Sequence, residues 1–147
     1  MTVAVRRLTA ADRAAWLKMR TALYDDEDAA DFAAEIDMML GGDDWAAFGA
    51  EAPDGALVGL IELFERNYAE GCTTSPVTYI EGLWVADGWR RRGIARRLVA
   101  AGIDWGRSRG RAEIASDVRL ANVVSQTMHR RLGFEETERL VTYRMRL

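Results

Sequence analysis

The chain has 147 residues, 49% hydrophobic and 29% charged, enough for one domain over 1–147 whose core needs neither disulfides nor a structural metal. A single cysteine, Cys72, excludes a disulfide framework and a cysteine-based zinc site; no apolar run approaches the roughly 20 residues that span a bilayer; and the start, MTVAVRRLTAADR, has no secretory leader, so a cytoplasmic location is expected. The net charge of −3 argues against nucleic acid as a partner and hides a segregation: thirteen Asp or Glu and no Arg or Lys between Thr21 and Glu65, then eight Arg against Asp87 and Asp104 between Asp87 and Arg111. Lining two parts of one cleft, these segments would suit a polycation and an anionic group respectively; otherwise each is a solvated face.

Residues 3–8 read as a first strand. Thr9, with Asp12 three residues later, signals a capping box, opening a helix that sets Ala15, Met19, Ala22 and Leu23 on one face down to Tyr24. A second helix over about 28–40 spaces Phe32, Ile36 and Met39 or Leu40 and ends at Gly41-Gly42. Residues 45–52 and 56–66 flank the turn tripeptide Pro53-Asp54-Gly55, which predicts a hairpin. The stretch 77–86 (VTYIEGLWVA) is the most strand-like in the chain, and Gly82 breaks its alternation, pointing to a bulge or a close backbone approach. A helix from about Gly93 to Ser108 turns Ile94, Leu98, Ala101 and Trp105 inward. A strand at 112–117, a helix at about 121–132 stopped by Gly133, and two strands around 134–146 complete the order β-α-α-β-β-β-α-β-α-β-β. This is an α/β (α+β) fold with a mixed, mostly antiparallel central sheet flanked by helices.

The sharpest local signal is Arg90-Arg91-Arg92-Gly93-Ile94-Ala95, between the 77–86 strand and the helix after it. A strand passing through a glycine turn into a helix start leaves N–H groups unpaired and places the positive end of the helix dipole beside them, which suits phosphate; the arginines add charge. The segment has neither a Walker lysine nor a dinucleotide G-x-G-x-x-G. A second element, Asn122, Ser125, His129 and Gly133-Phe134, follows a strand ending at Asp117. Together the two resemble the acetyl-CoA-binding core of the GNAT superfamily, whose usual form of the second motif is N-x-x-A-x-x-x-Y-x-x-x-G-F. His129 stands at the place of the usual tyrosine.

Within that superfamily, Asn67-Tyr68, Gly71-Cys72, Ser75-Pro76, Glu81-Gly82, Ala115-Ser116-Asp117 and the run Gly133 to Arg139 are similar to one branch of aminoglycoside 6′-N-acetyltransferases, nearly end to end. That branch also has histidine at the place of His129, and usually tryptophan at the place of Tyr24. The resemblance implies the GNAT acyl-CoA N-acyltransferase fold and a homodimer. It also implies acetyl-CoA as co-substrate, lying over Arg90, Arg91, Arg92, Gly93, Ile94 and Ala95, with its arm along the backbone of Leu83, Trp84 and Val85 and a contact from Asn122. By the same resemblance, Tyr24, Tyr68, Glu81, Asp117 and Glu138 would meet the aminoglycoside.

The residues themselves support an acidic pocket. Glu81 and Asp117 lie on strands either side of the cofactor motif, where a cleft between splayed strands would put both carboxylates at its floor; the bland alternatives are that Asp117 caps a helix and Glu81 pairs with an arginine. The expected reaction is direct attack of a primary amine on the thioester, with Asp117 or Glu81 accepting its proton, backbone N–H near Leu83–Val85 meeting the oxyanion, His129 protonating the thiolate, and no metal. No histidine pairs with Cys72, so a cysteine nucleophile is not expected. Rival expectations are acetylation of a polyamine, a small metabolite amine or a protein N-terminus, and a non-catalytic acyl-CoA-binding sensor.

Overall fold

The computed structural model describes residues 2–24 and 29–147. Its elements are β1 (Ala4–Arg7), a 3-10 turn (Ala10–Asp12), α1 (Arg13–Leu23), α2 (Ala29–Gly41), β2 (Trp45–Glu51), β3 (Leu57–Arg66), β4 (Val77–Val85), a 3-10 turn (Asp87–Trp89), α3 (Ile94–Ser108), β5 (Ile114–Ala115) and α4 (Val123–Arg131). The first residue of the helix expected over 28–40, with the acidic cluster 25–28, lies outside the described residues. The five strands run in sequence order across one sheet; β1 to β4 are antiparallel neighbours and β5 pairs parallel to β4 through the α3 crossover.

Alternation along β3 divides the core. Gly59, Ile61 and Leu63 face Leu98, Val99 and Trp105 of α3, while Leu60 joins Trp16 and Met19 of α1 and Ile36 and Met39 of α2 on the other face. Gly102 and Gly106 let α3 lie close: a Cβ at either would press on Leu63 or Thr78. At the hairpin turn, the Gly55 N–H donates to the Ala52 carbonyl (2.9 Å) and Asp54 accepts from the Ala56 N–H (3.0 Å), with Gly55 at φ +89°.

Three expectations change. The first helix opens as a 3-10 turn, with Asp12 accepting from the Thr9 N–H at 2.9 Å; its buried face is Trp16, Met19 and Arg20, while Ala15 and Ala22 are exposed. An arginine replaces alanine on the inner face because β3 offers it a buried carboxylate, Glu62. Strand β5 is two residues long, not six, because only Thr78 and Tyr79 of β4 pair with it. Beyond Phe134 no strand forms among the described residues: Leu140, Val141, Tyr143, Met145 and Leu147 stand exposed, so the apolar alternation is present but no neighbouring strand completes it.

Candidate active site

Strands β4 and β5 touch only at Thr78↔Ile114 and Tyr79↔Ala115. Past that point the remainder of β4 pairs with β3 alone, so among the described residues its other edge has no strand beside it, and the space along that edge is the candidate groove. The register of β3 and β4 slips there, Glu62 facing Gly82 and Leu63 facing Ile80, which makes Glu81 the extra residue of a bulge. The bulge expected from Gly82 is present, and Gly82 is needed because a Cβ would overlap the Tyr24 hydroxyl and the Leu23 side chain.

The bulge is braced from behind. Glu62, 1% exposed, accepts from Arg20 (2.6 and 2.7 Å) and from the Trp16 indole N–H (2.7 Å); Arg20, 4% exposed, also pairs with Glu35. Burial pushes the Glu62 proton affinity up, while the guanidinium and the indole N–H pull it down. Against this cluster, Tyr24 donates to the Glu81 carbonyl at 3.1 Å, and burial raises its phenol pKa. Tyr24 therefore supports the backbone of the bulge from within. The sequence reading missed Arg20 and Glu62. Their signal is a carboxylate inside the apolar run of 56–66 and an arginine one turn from Trp16.

At the floor of the groove each of the two expected carboxylates already has a partner. Arg66 donates to Glu81 through both Nε (2.7 Å) and an Nη (2.8 Å), and its guanidinium lies over the Tyr79 ring, 3.6 Å from the centroid. The Tyr79 hydroxyl donates to Asp117 at 2.6 Å, and burial together with that bond pushes the phenol up. One chain of contacts, Glu81–Arg66–Tyr79–Asp117, thus joins the two carboxylates. Tyr68 is exposed on the loop between β3 and β4; the Thr137 hydroxyl donates to the Glu70 carbonyl at 3.2 Å, so the segment bearing Glu138 lies along that same loop.

At the other end of the groove, Arg91 (φ +62°) and Gly93 (φ +76°) both take the left-handed conformation. Nothing lies within 4 Å of a Cβ built on Gly93. The first helical bond of α3 runs from the Arg97 N–H to the Gly93 carbonyl, which leaves the N–H groups of Ile94, Ala95 and Arg96 without intrahelical acceptors. Open backbone donors at a helix start fit a pyrophosphate. Arg90 instead turns back, donating through Nε to the Val85 carbonyl (3.1 Å) and pairing with Asp87, and Arg92 stacks on Trp89. A pocket of about 190 Å³ between Thr2, Val3, Trp89, Arg92, Ile94 and Arg97 lies behind this turn, not in the groove.

On α4, Asn122 is the helix cap, its Oδ1 accepting from the Ser125 N–H at 3.1 Å; Asp117 does not perform that role. His129 is fixed at both nitrogens. Nδ1 lies 2.8 Å from the Ser125 carbonyl, which can only accept, so Nδ1 carries a proton; Nε2 lies 2.9 Å from the Ser116 hydroxyl, and Phe134 meets the ring edge-on. Ser116 is the group through which the imidazole reaches outward, a role sequence reasoning did not assign. Cys72 is half-buried, and burial followed by Glu113 pushes its thiol up, away from a reactive thiolate.

Residues 10–134 match the acetyltransferase (GNAT) family. The chain is 43% identical over 134 residues to an aminoglycoside N(6′)-acetyltransferase type 1 of Serratia marcescens, covering 90% of this chain and 92% of that one. It is 41% identical over 144 residues to one of Stenotrophomonas maltophilia, covering 97% and 93%. Among solved structures, AAC(6′)-Iy in complex with the bisubstrate analogue CoA-S-monomethyl-acetylneamine superposes with a TM-score of 0.96 at 36% identity, each chain wholly covered. The aminoglycoside 6′-N-acetyltransferase AAC(6′)-IG of Acinetobacter haemolyticus gives 0.91 at 31% identity, over 98% and 99%.

Proposed function

The chain belongs to the GNAT acetyltransferase family, and we propose that it moves the acetyl group of acetyl-CoA onto the 6′-amine of an aminoglycoside by direct attack in a ternary complex, conferring resistance to the antibiotic. The observation that carries this reading is the groove itself: open backbone donors lie at one end, and two carboxylates lie at the floor where β4 leaves β5. Acetyl-CoA supplies the activated thioester.

Gly93, Ile94 and Ala95 hold the phosphates through backbone N–H groups, with Arg91 and Arg92 adding charge and Arg90 bracing the turn on Val85. Among the described residues the β4 edge at Leu83, Trp84 and Val85 has no strand on the groove side, and it lies along the pantetheine arm; its N–H groups meet the oxygen on which charge develops. Asn122, besides capping α4, contacts the arm.

Glu81 and Asp117 hold the ammonium groups of the acceptor, and one of them takes the proton of the reacting amine directly or through water. Tyr68 and Glu138, on adjoining segments, border the acceptor, while Tyr24 acts through the bulge. The thiolate takes its proton from the Ser116 hydroxyl, and His129, in the form protonated at both nitrogens, replaces that proton through Nε2 and is left neutral with its Nδ1 proton on the Ser125 carbonyl. The exposed apolar alternation Val141, Tyr143, Met145 and Leu147 fits a homodimer in which a second copy covers this segment. The enzyme works in the cytoplasm, where acetyl-CoA is available.

A thiol-release assay across aminoglycosides that have or lack a 6′-amine, run beside spermidine, tests the reading. Release with 6′-amino compounds alone is the expected result. Turnover with spermidine only would return the pocket to polyamines, and no turnover with any amine would leave an acyl-CoA sensor.

A further inference from the structure

Three clusters of charge surround the β4 bulge, and they differ in how exchangeable they are. The Arg20–Glu62 pair is sealed, with side chains 5% and 1% exposed, and the Glu65 carboxylate is 9% exposed beneath Arg109 and Arg111. Arg66 and Glu81 are 38% and 21% exposed and open onto the groove. Arg66 is the last residue of β3, so its backbone is anchored opposite Val77 while its head lies free of the sheet. A guanidinium so placed can leave a carboxylate without creating a buried unpaired charge, which Arg20 cannot do.

We propose that Arg66 is the resident counter-ion of the acceptor site: it holds Glu81 in the free enzyme and yields it to a substrate ammonium, so that Arg66 sets how many charges an acceptor needs in order to bind well. The inference rests on the aminoglycoside reading above and adds to it a residue that determines specificity. While Arg66 spans Glu81, Asp117 is, of the two carboxylates at the groove floor, the one without a cationic partner among the described residues, and it already accepts from Tyr79. An acceptor with a single ammonium has that position alone. One with several can place a second against Glu81, exchanging cation for cation at little net loss of charge pairing. Because the same guanidinium stacks on Tyr79, its departure also releases the ring whose hydroxyl holds Asp117, which ties the two carboxylates into one response.

Arg66→Met tests this, since it removes the charge and both donors while keeping an unbranched apolar stem. The KM of a methyl 6-amino-6-deoxyglucoside, which carries one amine, should fall about tenfold at low salt, and that of a multiply charged 6′-amino aminoglycoside about threefold, the changes falling on KM and not on kcat. Selectivity between the two should narrow accordingly. Arg66→Lys, which keeps the cation but not the fork, should give smaller decreases in the same order and serves if the methionine variant does not fold. A KM that is unchanged or higher in these variants, or a joint loss of kcat and KM, would overturn the proposal and make Arg66 a brace for the bulge. Wild-type enzyme that acetylates no aminoglycoside would remove the parent reading too; active wild type with unimproved variants removes only the role of Arg66.

Discussion

At the cofactor end of the groove the chain leaves its backbone open: Arg91 and Gly93 take positive φ, and α3 begins with N–H groups that have no internal acceptor. At the acceptor end Glu62, Glu81 and Asp117 each already have a donor within the protein. An anion of fixed shape can be met by preformed backbone donors, whose geometry the turn enforces. A polycation needs carboxylates, and carboxylates left bare in a partly buried groove are costly, so each is held by a donor of the protein itself. On the proposed reading, binding is addition at one end and exchange at the other.

Breaking the hidden support of the acceptor end should have the largest effect. Arg20→Met leaves Glu62 buried without its charge partner, and a loss of about 3–5 kcal/mol of stability is expected, a Tm lowered by roughly 10 °C. A change below about 1 kcal/mol in thermal or denaturant unfolding would show that Glu62 is held otherwise. If Asp117 orients the amine, as proposed, Asp117→Asn, which keeps shape but not charge, should raise the aminoglycoside KM by about tenfold or more while kcat largely survives. A fall in kcat of about 100-fold or more, with an altered acidic limb of the pH profile, would make Asp117 the base instead, and Glu81→Gln run in parallel would then show the complementary pattern.

The cofactor end is broken by shape. Gly93→Val must place a β-branched residue at φ +76° and block the approach of phosphate, so acetyl-CoA affinity measured by calorimetry should fall about tenfold, with the aminoglycoside KM little affected. Equal losses for both ligands would erase the distinction between the two ends.

The smallest effect isolates pairing from binding. Glu65 faces no ligand in this account, yet its carboxylate, bonded first of all to Arg109 and also to Arg111, is held below the usual carboxylate range. A depressed folded-state pKa stabilises the protein above the unfolded value, and that contribution is lost as pH falls through the folded one. Glu65→Gln should therefore cost up to about 1 kcal/mol at pH 7, a cost that shrinks as pH falls below the usual carboxylate range, by denaturant unfolding, without moving either KM. A penalty that does not shrink as the carboxylate is titrated with acid would mean lost packing.

Much of this was legible in the amino-acid order because it rests on local rules. Pro53-Asp54-Gly55 specified its turn, Gly82 marked the bulge, and the Arg90–Ala95 segment announced a helix start with donors to spare. The alternatives weighed for the acceptor carboxylates divide: Glu81 is paired with an arginine, but the cap of α4 is Asn122 and not Asp117. What stayed hidden depends on register between distant segments. Arg20 reads as a polar position on a helix until β3 places Glu62 opposite it, and the link from Arg66 to Glu81 exists only because the bulge re-aims residue 81. Residues 134–146 alternate as strands do, but pattern alone does not make a strand without a neighbour to pair with.

The central claim is that the acceptor end presents one amine, out of several, to the thioester. Two-dimensional NMR of the product formed from acetyl-CoA and an aminoglycoside bearing a 6′-amine and several others tests it most directly. The account predicts a single acetyl group, on the 6′ nitrogen; acetylation of another nitrogen, or a mixture of positions, would contradict it.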